Sequence, residues 1–265
     1  TEETTISVPP GFPQDEASVR KVFVISFLVR EIDSDGTADV WVTFDSAQVS
    51  QGEGAGDAEV EPSEAIADSS VPPGMKTFAA LEGAVLGIDV TPQGQVTRVA
   101  GTDQLVSRIL ADIGHSEARE EQARREYGPD AIKEMMGDVF ATLPGVPVAI
   151  GDSWSVESIA ARGLGAIVDN TWTLRSRREG VAVLDLRAKV EPNRDAPATG
   201  NTTVEYELSG TRSGSVEIDE ATGWVEKSMV RLDAEGELKV KGEPGSTKRL
   251  IVPVLIERVT RVERV

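Results

Sequence analysis

From residue 150 to the end, the chain reads as one strand after another with almost no room between them. The runs "NTWTLRSRREG", "VAVLDLRAKV", "TTVEYELSGTRS", "GSVEIDEATGWVEKSMV", "RLDAEGELKVKGEPGS" and "KRLIVPVLIERVTRVERV" are rich in β-branched residues and separated by short Gly-containing turns. Parallel neighbours need a crossover of a dozen or more residues, usually helical, and none fits into these gaps. An antiparallel meander is the arrangement left.

The first part of the chain repeats that grammar. "VFVISFLVREI" turns at "DSDG" into "ADVWVTFDSAQV", where Val40, Val42 and Phe44 alternate with Trp41, Thr43 and Asp45, as expected for a hairpin. "MKTFAALEG" leads into "AVLGIDV", which turns at "TPQG" into "QVTRVAG". The stretches "GAVLGIDVTPQGQV" (83–96) and "GSVEIDEATGWV" (214–225) then fit one pattern: Gly-x-Val, Ile-Asp, Gly-x-Val. Each is preceded by a hairpin, turning at Asp35-Gly36 in the first half and Glu179-Gly180 in the second, so we read two related β meanders. Turn chemistry alone also selects Asp and Gly at such places, and chance recurrence stays open beside duplication.

Between the meanders the period changes to 3.6. Leu105, Val106, Ile109, Leu110 and Ile113 fall on one helical face; "SEAREEQARREYG" is a more polar helix capped by Ser116 and ended by Gly128; Pro129 opens a third, with Ile132, Met135, Met136, Val139, Phe140 and Leu143 in a stripe. The expected fold class is α+β. A large antiparallel curved sheet or half-barrel carries about three central helices on its concave face, and strands of both halves share one interior. The expected organisation is a flexible N-terminal tail over 1–20 and a single α+β domain over 21–265, with the first meander at 21–100, helices at 102–143 and the second meander at 150–265. The Gly-, Pro-, Ser- and acid-rich stretch 52–74 reads as a long mobile loop.

Charge and missing residue types exclude much. With 45 acidic against 27 basic residues the chain carries −18, which repels phosphate backbones, so no nucleic-acid partner is expected. Cysteine is absent, removing disulfides and thiolate chemistry; no metal or other cofactor is expected. A Ser-His-Asp triad would have to pass through His115, the single histidine, which sits at a helix-to-helix corner and reads as an exposed turn residue or a dipole partner for the preceding helix. "GDSWS" (151–155) lacks the second Gly of a nucleophile elbow, and "SVRK" (18–21) has no partner motif. Asp33, Asp35 and Asp39 resemble the start of a calcium loop without its terminal Glu, so a hairpin turn explains them. The four Trp residues read as core or edge-capping groups. No general acid, base and nucleophile can be assembled, and the chain is read as non-enzymatic.

At "LPGVPVAIGDSWSV", followed by "TWTL" and "GSVEIDEATGWV", the chain resembles an uncharacterised family of exported bacterial proteins, often lipoproteins, with a V-x-x-G-D-x-W segment and a downstream G-x-x-x-I-D-x-x-T-G pattern. Val148, Gly151, Asp152 and Trp154 match the first part; Gly214, Ile218, Asp219, Thr222 and Gly223 match the second. The resemblance implies an exported protein at the periplasm or cell surface, with membrane anchoring through a segment outside this chain. Two functions follow as expectations. One is a binding protein holding an apolar small molecule or lipid between sheet and helices, at Ile109, Ile113, Met135, Met136, Phe140 and Trp154. The other is a structural or interaction module with a filled core that contacts another envelope protein.

Overall fold

The computed structural model describes residues 1–7, 16–52, 57–60, 80–137, 139–160, 166–192, 204–241 and 249–265. The mobile-loop expectation for 52–74 falls mostly on residues outside these. Contacts divide the chain into two compact units, one of Thr1–Glu2 with Val19–Gly145, the other of Glu3–Ser18 with Val146–Val265.

In the first unit, β2 (Glu16–Ile32), β3 (Ala38–Gly52), β5 (Val85–Val90) and β6 (Val96–Ala100) lie in the order β6-β5-β3-β2, and β4 (Asp57–Val60) pairs with β3. Alternation sets the faces. Val40, Val42 and Phe44 of β3 and Leu86, Ile88 and Val90 of β5 are buried, while Trp41 and Val85 between them point to solvent. The β2–β3 and β5–β6 turns are built alike. Asp33 N–H donates to Thr37 O (2.8 Å) and Gly36 N–H to Asp33 O (2.9 Å); Thr91 N–H donates to Gln95 O (2.9 Å) and Gly94 N–H to Thr91 O (2.8 Å). Gly36 (φ 86°) and Gly94 (φ 77°) supply the left-handed residue that both turns need.

Helix α1 (Thr102–Ile113) is followed by α2 (Glu117–Tyr127) and α3 (Pro129–Gly137). The last two form one bent arm: Gly128 N–H donates to Arg124 O (2.8 Å) and Ile132 N–H to Gly128 O (3.0 Å) across the break. The bend has a local cause. A residue before proline is pushed out of the α region, and Gly128 sits at φ −72°, ψ 175°. Ser116 accepts the Arg119 N–H (3.3 Å) as N-cap of the arm.

In the second unit, β1 (Glu2–Ser7), β7 (Ser153–Ala160), β8 (Ala166–Arg178), β9 (Val181–Pro192), β10 (Val204–Asp219), β11 (Val225–Lys241) and β12 (Arg249–Glu263) follow the order β1-β12-β11-β10-β9-β8-β7. The β7-to-β12 meander matches the antiparallel expectation. Part of the expected N-terminal tail is different: the β-branched run "TTI" lies in β1, whose neighbour is β12, and Arg258 Nε donates to Thr4 Oγ1 (3.3 Å).

The expected α+β fold class is corrected. Among the described residues the protein is predominantly antiparallel sheet, with twelve strands against three short helices. The helical residues form two arms instead of about three helices on a concave face. Their buried side chains join one cluster with residues of β3, β5 and β6, with Phe23, Ile25 and Phe27 of β2 packed against it. Two clusters of the second unit, Leu208, Ala234, Val254 and Ile256 and then Ala166, Val168, Ala188 and Val190, consist of strand residues alone. Partly buried Leu232 packs against both of those clusters, and among the described residues no helix joins either of them.

Candidate functional site

The residues carrying the family resemblance gather at one end of the second unit. Asp152 closes a turn: its Oδ2 accepts the Ala149 N–H (2.8 Å), and its own N–H donates to Ala149 O (3.0 Å). Gly151 N–H donates to Leu174 O (2.8 Å) and Leu174 N–H to Asp152 O (3.0 Å), which starts the β7–β8 ladder. Two residues on, half-buried Trp154 stands opposite buried Trp172.

Asp219 does the same work in the second motif. Its Oδ1 accepts the N–H groups of Ala221 (2.8 Å) and Thr222 (3.3 Å), and Gly223, at φ 76°, donates its N–H to Asp219 O (2.7 Å). Arg177 ties the motifs together: Nε pairs with Glu220 Oε1 (2.7 Å) and Nη1 donates to Val148 O (3.3 Å), while Glu220 N–H donates to Gly180 O (2.8 Å). Sequence reasoning missed Arg177, because an arginine recruited by two distant turns leaves no local pattern. The Asp152 and Asp219 carboxylates are both engaged by backbone amides, so each holds its turn.

The amides of Ala221 and Thr222 hold the Asp219 carboxyl below its ordinary value of 3.8. A depressed carboxylate stabilises the fold above its unfolded pKa and loses that contribution as pH falls through the folded one. Asp219→Ala is therefore expected to lower the thermal midpoint at pH 7, with the gap to wild type closing below the ordinary carboxylate range. A pH series of melting curves checks it.

The two Ile-Asp copies are used differently. Asp89 lies within β5 and takes a two-pronged bond from Arg98 on β6 (2.7 and 3.0 Å), leaving Thr91 to open the turn that Asp219 opens in the second copy. The shared letters mark two strand-turn-strand units whose Asp residues have unlike roles.

Of the six sequence candidates, five come together. Ile109 and Met136 are fully buried and Met135 nearly so in the core of the first unit, with Ile113 and Phe140 packed against them and Phe140 edge-on to Phe27 at 5.7 Å. Trp154 belongs to the second unit. His115 is exposed beside Glu120 (3.1 Å), and the last carbonyl of α1 is taken by Arg119 instead (2.6 Å). Asp35 accepts the Thr37 N–H (3.0 Å) within the hairpin turn, as the turn reading requires. The core reading of tryptophan fails at Trp41, which is 43% exposed with the Arg30 guanidinium 4.3 Å from its ring centroid. Among the described residues no three His, Cys, Asp or Glu could hold a metal ion, and no helix is long and apolar enough to cross a membrane.

These features define an antiparallel β protein with a helical cover on its first unit and a turn cluster at one end of its second. The chain belongs to DUF6263, a family of unknown function, whose model matches residues 35–225. No curated protein matches it.

Proposed function

We propose that the protein is a non-enzymatic interaction module of the bacterial envelope that docks another protein through the outer sheet face of its first unit. The observation that carries this reading is where the apolar surface lies. The helix stripe is spent inside the core, whereas Val24, Leu28 and Ile32 of β2, Trp41 of β3 and Val85 of β5 are between 43% and 66% exposed. Exposed apolar residues grouped on one face mark interaction surfaces, and Trp beside Arg is a common anchor. The −18 charge favours a partner with a basic rim. Export to the periplasm or cell surface is part of the proposal and rests on the family resemblance.

Leu28→Asp with Trp41→Ser is expected to cost about 1–2 kcal/mol and leave the unit folded, since Leu28 is mostly exposed and Trp41 loses its contact with Arg30 and some strand propensity. A photo-crosslinking residue at Leu28, in cells that make the protein, should trap one discrete partner, and the same group at exposed Lys227 should not. Identical traces from the two positions would refute the reading. The other expectation, an apolar small molecule or lipid under the helices, would require opening the packing around Ile109 and Met136. Native mass spectrometry showing bound lipid on gently purified protein would favour it.

A further inference from the structure

The registers of the first unit set out its outer face in rows. Asp39 of β3 stands opposite Asp89 of β5 and Trp41 opposite Gly87, and on β6 Arg98 and Ala100 continue the two rows. Val40, Val42, Leu86 and Ile88 between them are buried and Val99 packs against the core, so these six positions point outward. Trp41 lies beside Arg30 of β2, on the side of β3 away from β5. The room above Gly87 is left open: among the described residues a Cβ there would meet only the Ala100 Cβ, at 3.8 Å. The row therefore has a gap, floored by a glycine and a methyl group, next to an exposed indole.

The neighbouring row is unbalanced in charge. Arg98 is spent on Asp89, both of whose carboxylate oxygens it holds (2.7 and 3.0 Å), while half-buried Asp39 makes no hydrogen bond or ion pair among the described residues. Like charges directly opposite on a ladder repel, and one guanidinium offsets only one of the two carboxylates. A further cation at Asp39 would complete the row.

We propose, resting on the docking reading above, that this corner anchors the partner: an extended basic segment lays a bulky apolar side chain over Gly87 beside Trp41 and sets a lysine or arginine on Asp39. The two rows lie two residues, about 7 Å, apart along a strand, which is also the spacing of alternate side chains in an extended chain. The motif to look for in the partner is an apolar residue with Lys or Arg two positions away. A second copy of this chain is disfavoured as occupant, because each carries −18.

The protein trapped at Leu28 is the probe, purified and titrated by calorimetry against the intact chain and its variants. Gly87→Val fills the gap. Gly87 has no left-handed backbone and no backbone atom in the way, and valine suits a strand, so the melting midpoint should match or exceed wild type while affinity falls about tenfold or more. Asp39→Asn should weaken binding about two- to fivefold, and Arg98→Gln should strengthen it by a similar factor, because Asp89 is then free for the partner's cation. Damage to the fold would not produce that opposite sign, so Arg98→Gln carries the test should Gly87→Val fail to fold. Wild-type affinity in Gly87→Val and Asp39→Asn, weaker binding in Arg98→Gln, a crosslinked segment without a basic residue, or two copies of this chain joined to each other overturns the anchor and leaves the docking face standing. Absence of any discrete partner at Leu28 refutes the docking face and the anchor with it.

Discussion

Valine in place of Gly210 or Gly214 is expected to unfold the second unit. A Cβ on Gly210 would land on the Asp233 carbonyl oxygen and 2.7 Å from Ala234 Cα; on Gly214 it would land on the Met229 carbonyl oxygen and 2.8 Å from Val230 Cα. Both obstacles are the backbone of β11, the strand to which β10 is bonded, so no rotamer relieves them. Glycine inside a strand marks close approach or a bend, and the hairpin of 16- and 17-residue strands has three such places, Gly210 and Gly214 on β10 and Gly236 on β11. The expected loss is about 3 kcal/mol or more, a large share of the roughly 5–15 kcal/mol that holds a domain together. Gly145→Ala, where a Cβ meets nothing within 4 Å, serves as the control and should stay within about 0.5 kcal/mol. Urea unfolding followed by circular dichroism separates the cases, and an unchanged midpoint for Gly210→Val would contradict the close approach.

Truncating the helix stripe should cost nearly as much. Ile109 and Met136 are both fully buried and sit in one cluster with Phe44, Leu86 and Ile88. Removing such side chains loses their transfer energy and leaves a cavity, so Ile109→Ala and Met136→Ala are each expected to destabilise by about 2–5 kcal/mol. Met136→Leu keeps the volume and should cost less than about 1.5 kcal/mol. Hydrogen exchange localises the effect: lost protection should concentrate in Val19–Gly145. A cost near zero for Met136→Ala would instead mean that its side chain faces unfilled space, and the apolar-ligand reading would regain ground.

The antiparallel ladders were legible because period-two alternation and turn chemistry are local. Glu179 and Gly180, at φ 52° and 81°, make the turn their sequence announces, and Val40, Val42 and Phe44 go to the core together. That alternation also put Trp41 on the opposite face. Expecting tryptophan in the core gave residue type precedence over position. The burial of Met136 in one cluster with Phe44 could not be read from the helix, since a stripe reports that a face is covered and not which strands cover it. The half-barrel went wrong for the same reason: nothing local in α1 or in β10 says how many strands the helices must cover. In the turn cluster, the Asp152 and Asp219 turns were visible as motifs, whereas Arg177, which joins them, was not.

The neighbouring positions of β1 and β12 bear on how the molecule comes to be made. Thr4 and its partner Arg258 are 254 residues apart. At about 5–20 residues per second, the ribosome needs roughly 13–50 s to travel from one to the other. Strand β1 must wait out that interval without its neighbour, so the pairing that joins it to the second unit forms only after the whole β7-to-β12 meander has been made.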